Sequence, residues 1–157
     1  MLSISHATTG AFVASKFMNP LIYVPAAVAL HFMEDWIPHW DIGEGMCEGR
    51  RSRRAAFYLG VLDLVLAAVI IWWFWLSRYS LLEILTFKQP IAWHIMAGAL
   101  AGILPDLIEA PKIFLGIEIK LFKPITRFHE RFHHSIPHKI RGLIPQILLL
   151  IAIYFLR

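Results

Sequence analysis

"AAFYLGVLDLVLAAVIIWWFWL", residues 55–76, carries Asp63 as its only ionisable side chain. A bilayer core needs about 20 apolar residues in helical form, so this stretch predicts a transmembrane helix. The rest of the chain agrees with it. Of 157 residues, 58% are hydrophobic and 17% charged, against an apolar share of roughly 45–50% in soluble domains. The composition therefore excludes an ordinary water-soluble domain.

Further helices follow on either side. Residues 143–156 contain "ILLLIAIYFL", with Pro145 expected in the first turn, where a missing N–H costs little. Upstream, Asn19-Pro20 interrupts an apolar stretch, because proline disfavours a helical residue before it. That break predicts two antiparallel helices over 4–18 and 21–37. Residues before Met18 lack the basic, apolar and small-residue parts of a secretory signal and are read as mature protein. A helix over 91–108 contains "MAGALAG", small residues that suit close packing in lipid. The expected fold class is all-α: one integral membrane domain over 1–157, a polytopic bundle of about five helices (4–18, 21–37, 55–76, 91–108, 143–156) plus interfacial segments. Residues 112–128 fit neither helix nor strand period and are expected to lie partly in the interface. The single cysteine, Cys47, excludes an intrachain disulfide and a thiolate zinc cluster.

Charge orients this bundle. Cytoplasmic loops collect lysine and arginine, so "RRSRR" (Arg50, Arg51, Arg53, Arg54) places the start of the 55–76 helix inside. Threading from there puts 78–89 outside and 112–141 inside. Lys112, Lys120, Lys123, Arg127, Arg131, Lys139 and Arg141 then join the four arginines, leaving only Lys16, Arg78, Lys88 and Arg157 elsewhere. The arginine run reads as an orientation signal and a contact for lipid phosphate, so no nucleic-acid partner is expected.

The same threading gathers the histidines and carboxylates. His6 falls at the cytoplasmic start of the first helix, and Asp35, His39 and Asp41 at the cytoplasmic end of the second. Asp106 and Glu109 end the fourth, and His129, His133, His134 and His138 precede the last. His31 and Asp35 are four residues apart and share a helical face; His129 with His133, and Glu130 with His134, repeat that spacing. Imidazole with carboxylate suits zinc, iron or manganese, and ionisable groups near lipid are functional by default. The plainer alternative is a helix end in the headgroups, with Trp36 and Trp40 as interfacial anchors. His94, about 18 Å along a helix from Asp106, is expected to miss the cluster. Asp63 is expected either to bond a site histidine or to pair with a neighbouring helix.

"HATTG" (6–10), "GILPD" (102–106) and "HHSIP" (133–137) resemble the signatures of the membrane-bound metal-dependent hydrolase family, small inner-membrane proteins of bacteria and archaea. "HFMEDWIPH" (31–39) is similar to the zinc-dependent phospholipase C metal-binding signature. "HERFHHS" (129–135) also resembles the histidine boxes of membrane fatty-acid hydroxylases and sterol desaturases, which hold two irons. Only one such box is present, so that family ranks second.

The first resemblance implies a multi-pass inner-membrane hydrolase with its active site on the cytoplasmic side, acting on a lipid phosphoester. Two or three divalent ions, zinc before manganese or iron, would be held by His6, His31, Asp35, His39, Asp106, His129, His133 and His134. Asp41 or Glu109 would serve as general base, and Arg127, Arg131 or Lys139 would bind phosphate. A membrane lipid is the expected partner, and helices this short are compatible with a homodimer. The alternatives are a di-iron lipid hydroxylase or desaturase, and a metal transporter or non-enzymatic membrane protein. Residues 78–89 contain no histidine and one carboxylate, which argues against an exit site for a transported metal.

Overall fold

A computed structural model describes residues 1–46 and 49–157; Cys47 lies outside the described residues. Helices make up the fold, and no strand occurs among the described residues. The helices are α1 (Ser3–Phe17), α2 (Pro20–Trp36), α3 (Arg53–Phe74), α4 (Leu81–Leu85), α5 (Pro90–Ala110), α6 (Lys123–Phe132) and α7 (Lys139–Leu156). Among the described residues there are thus seven α-helices, where about five were expected. The short α4 is set by a capping box between Ser80 and Glu83. The other additional helix, α6, lies in the stretch expected to be only partly interfacial. It is strongly amphipathic, which an 11–18-residue window spanning the irregular turns before it averages away.

Three segments are long and apolar enough to cross a membrane: Arg53–Phe74, Pro90–Leu115 and Lys139–Leu156. Their outer faces expose large apolar side chains, such as Leu62, Val65 and Val69 on α3 and Ile144, Leu148 and Ile151 on α7. This surface is compatible with membrane association. The last span starts earlier than its hydropathy suggests. His138 caps α7, its ring accepting from Arg141 N at 3.4 Å, so Pro145 falls inside the helix rather than in its first turn.

α1 is the centre of the bundle although it is the least apolar of the long helices. Ser5, His6, Thr8 and Thr9 are all buried on it, beside Ala7, Ala11 and Ala14. The close approach that encloses these polar groups depends on glycine. Gly98 and Gly102 of α5 form a G-x-x-x-G face against Gly10 of α1. A Cβ at Gly10 would strike Gly98 O, and one at Gly102 would strike His6 O. Helix α2 begins after Met18, which takes the left-handed conformation (φ 49°), and Asn19 caps it by accepting from Leu21 N at 3.0 Å.

Asp63, in the middle of α3, settles the alternatives raised by the sequence: it pairs with a neighbouring helix. Its Oδ2 accepts from Ser3 N at 2.6 Å and its Oδ1 from Ile4 N at 3.3 Å. These are first-turn N–H groups of α1, which has no side-chain cap of its own. The chain after α2 is fixed against the segment before α7. His39 N donates to His134 O at 3.1 Å, and Ile136 N donates to His39 O at 2.7 Å. Gly142 lets Trp40 reach α7, with Trp40 N donating to Gly142 O at 3.2 Å.

Candidate metal centre

Asp35 is fully buried in the last turn of α2, and four imidazoles surround its carboxylate. His6 Nε2 (α1) lies 3.1 Å from Oδ1 and His39 Nε2 3.6 Å from it. His129 Nε2 (α6) lies 2.6 Å from Oδ2 and His31 Nε2 (α2) 3.3 Å from it. The α-amino group of Met1 also contacts Oδ1.

Three of the four rings are hydrogen-bonded from the far side. His31 Nδ1 donates to Gly102 O and His39 Nδ1 to Ile37 O, both at 2.8 Å. His129 Nδ1 donates to Glu109 Oε2 at 2.8 Å; His6 Nδ1 lies 2.7 Å from Glu34 Oε2, but without hydrogen-bond geometry, and both atoms are buried and unpartnered. A carbonyl or ionised carboxylate oxygen only accepts, so the partners of His31, His39 and His129 assign a proton to Nδ1, and in the neutral ring the lone pair is then on Nε2. Ring nitrogens then face one another. His31 Nε2 is 3.4 Å from His129 Nε2, and His39 Nε2 is 3.1 Å from His133 Nε2. Two bare acceptors repel at such distances unless a cation or a proton lies between them.

The donors fall into two groups that could each hold a metal ion: His31, Asp35, Asp106 and His129, and Asp35, His39 and His133. Within each, the donor atoms all lie within 4.8 Å of one another. Asp35 is common to both and faces one with each oxygen. Asp41 adds to the second group. Its Oδ2 is buried without a hydrogen-bond partner, 3.2 Å from His133 Nε2 and 3.8 Å from His39 Nε2. An orphaned carboxylate oxygen beside two imidazoles fits a cation site. Imidazole and carboxylate together suit zinc, iron or manganese. Burial pushes the His39 imidazole down to about 3, so it is neutral at pH 7, the form that binds metal. Burial alone would raise Asp41; its contact with His133 and the nearby positive charges outweigh this and hold it below its ordinary value.

The centre is open on one flank. Asp106, 3.6 Å from His31 Nε2 and 3.8 Å from His129 Nε2, has a side chain 29% exposed, and His133 one 28% exposed. Asp35, His6, His31 and His39 show nothing to solvent.

No family model matches the chain, and no curated protein or solved structure matches it. The chemistry of the centre therefore rests on its own residues.

Of the residues expected to bind metal, His6, His31, Asp35, His39, Asp106, His129 and His133 are brought together, and His134 is not. The ring of His134 is exposed and bonds Phe132 O, because α6 ends at Phe132 and the extended chain beyond it turns successive side chains to opposite sides. Its backbone serves instead, His134 N donating to Asp35 O at 2.9 Å. Glu130 pairs with Lys112 on the surface. Glu109, expected as a base, orients His129. Arg127 and Arg131 are exposed on α6, and Lys139 Nζ lies 5.8 Å from the centre of the Trp40 ring. His94 bonds Tyr23 Oη at 3.4 Å and takes no part.

Several contributors were not singled out from the sequence. Glu34 had only its place in "ED" to mark it. The carbonyls of Gly102 and Ile37 belong to the backbone and leave no residue-type signal. Arg51, whose guanidinium lies 5.2 Å from the centre of the same Trp40 ring, was hidden in a run read as an orientation signal.

Proposed function

We propose that the chain is an integral membrane metal-dependent hydrolase that cleaves a lipid phosphoester at the cytoplasmic face of the membrane. The observation that carries this reading is the convergence of two imidazole–carboxylate donor groups on a shared, fully buried carboxylate, Asp35. Basic residues at the same end of the bundle support a phosphate-bearing substrate, and the excess of arginine before α3 supports a cytoplasmic orientation.

Two or three divalent ions, zinc foremost, would bring the pKa of a bound water toward neutrality and offset charge on the phosphate. The chain supplies the rest. Asp35 joins the two donor groups, and Glu109 fixes the ring of His129. Substrate phosphate approaches through the open flank between Asp106 and His133. Lys139 and Arg51, either one against Trp40, contribute positive charge there, while Arg127 and Arg131 draw headgroups to α6. Asp41 Oδ2, free of hydrogen bonds, accepts the proton of the attacking water.

Elemental mass spectrometry of the detergent-purified protein, beside Asp35→Asn, tests the reading together with analysis of the hydrolysis products (free phosphate from a phosphomonoester lipid; a phosphomonoester and an alcohol from a phosphodiester lipid) in phospholipid micelles. Two or more zinc or manganese ions per chain, lost with hydrolysis in the variant, are expected. A wild type that holds no metal, or a variant that hydrolyses normally, would overturn it. Two irons with oxygen consumption would favour the hydroxylase alternative instead.

A further inference from the structure

One apolar groove opens beside the metal centre. It encloses about 350 Å³ between α2, α5 and α6, walled by Val28 and Phe32, Leu104 and Ile108, and Ile125 and Phe128. A second depression continues it along α2 past Val24 and Pro25. Val24, Val28 and Phe32 recur every four residues and form one stripe, about 12 Å long at 1.5 Å per residue.

The groove and the centre share their boundary. Phe32 and Phe128 directly follow and precede the ligand candidates His31 and His129 in sequence. The Phe32 ring packs edge-on against His31 at 5.4 Å, against His129 at 5.8 Å and against Phe128 at 4.9 Å. Anything lying in the groove with a polar end at Phe32 presents that end to the metal centre.

Location identifies the occupant. One wall belongs to the Pro90–Leu115 segment, long and apolar enough to span. Another is α6, which exposes Arg127 and Arg131 while Ile125 and Phe128 line the groove; amphipathic basic helices of this kind lie in the plane of the headgroup boundary. A groove beneath such a helix meets hydrocarbon. Its walls are almost entirely apolar and offer little to order water or to satisfy a headgroup, so what fits is an alkyl chain.

We infer that the groove between α2, α5 and α6 holds one hydrocarbon chain of the membrane lipid whose headgroup reaches the metal centre. The inference rests on the lipid-hydrolase reading above and adds where the substrate's chain is gripped.

The protein is reconstituted in phosphatidylcholine–phosphatidylglycerol vesicles containing a phosphatidylglycerol with a photoreactive diazirine on one acyl chain, and labelled residues are mapped by mass spectrometry. Label in the wild type is expected to concentrate on Val28, Ile125 and Phe128 relative to Leu62 and Leu148, which face outward on α3 and α7. Filling the groove with Val28→Trp displaces at least two methylenes of chain, so groove labelling should fall about tenfold while Leu62 and Leu148 label as before. Ile125→Trp, on the opposite wall, should act alike, and bound metal in both variants reports that the fold persists.

Groove labelling equal to that of Leu62 and Leu148 in the wild type overturns the inference, whatever the variants do. Protein–protein crosslinks through Phe128 also overturn it, since the occupant is then a second copy. Specific groove labelling in a protein that hydrolyses no lipid supports the groove and sinks the hydrolase reading. Lipid hydrolysis without it does the reverse.

Discussion

Glu109 Oε2 on α5 accepts from His129 Nδ1 on α6 at 2.8 Å, and His129 Nε2 on the other side of the ring lies 2.6 Å from Asp35 Oδ2. A carboxylate behind a ligating histidine fixes its tautomer and raises its basicity; losing such a partner costs about 10–100-fold in metal affinity. Glu109→Gln should therefore bind metal more weakly by that factor while keeping its helical content. Titration with a competing chelator measures it, and an unchanged affinity would remove Glu109 from the site.

His133 and His134 adjoin in sequence but differ in role. His133→Ala should lose metal from the group it shares with Asp35 and His39, whereas His134→Ala, an exposed ring, should keep full metal content. Equal losses in the two variants would contradict the arrangement around Asp41.

Asp63 supports the centre from a distance. Asp63→Leu leaves Ser3 N and Ile4 N at the start of α1 without their acceptor, a cost of about 1–3 kcal/mol for unsatisfied buried groups. The thermal midpoint in detergent should fall, and metal should be lost secondarily as His6 shifts. A variant with an unchanged midpoint would show that water satisfies these groups instead.

Two glycine substitutions separate packing from propensity. Gly102→Ala drives a Cβ into His6 O and should destabilise by about 1–3 kcal/mol and weaken metal binding. Gly60→Ala, on α3, meets only Phe114 Cζ at 3.4 Å and should be neutral or stabilising by about 0.5–1 kcal/mol. Paired melting curves check both, and similar losses at the two positions would refute the close α1–α5 contact.

The metal-free protein should weaken in acid. His39 titrates at about 3 in the fold and at about 6.5 in the unfolded chain, so between those values the unfolded state binds more protons. Stability is then fully present above about 6.5 and falls as pH drops toward about 3. Chelator-treated protein should melt lower at about pH 5 than at about pH 7.5; a flat profile would mean that His39 is not buried as described.

What could be read in advance followed from local pattern. The span around Asp63 came from an apolar run, the α1–α2 boundary from Asn19-Pro20, and the gathering of His6, Asp35, Asp106 and His129 from arginine counting and helix length. The errors arose where tertiary contact overrides pattern. His138 starts α7 earlier than hydropathy does, and α6 sits inside a stretch of turns. The spacing rule that joined His129 with His133, and Glu130 with His134, assumes a helix that ends at Phe132. The anchors behind His31, His39 and His129 are two carbonyls and Glu109, which are ordinary groups until the fold brings them near.

The buried polar stripe of α1 bears on how the protein is made. A helix of 15 residues bearing Ser5, His6, Thr8 and Thr9 is too short and too polar to partition into lipid by itself. The three apolar spans can enter singly, as lipid-stable cylinders. α1 must then be drawn in between them, its first N–H groups meeting Asp63 and its glycine meeting Gly98 and Gly102. The arrival of α1 then brings His6 to Asp35 and closes the candidate centre from one side.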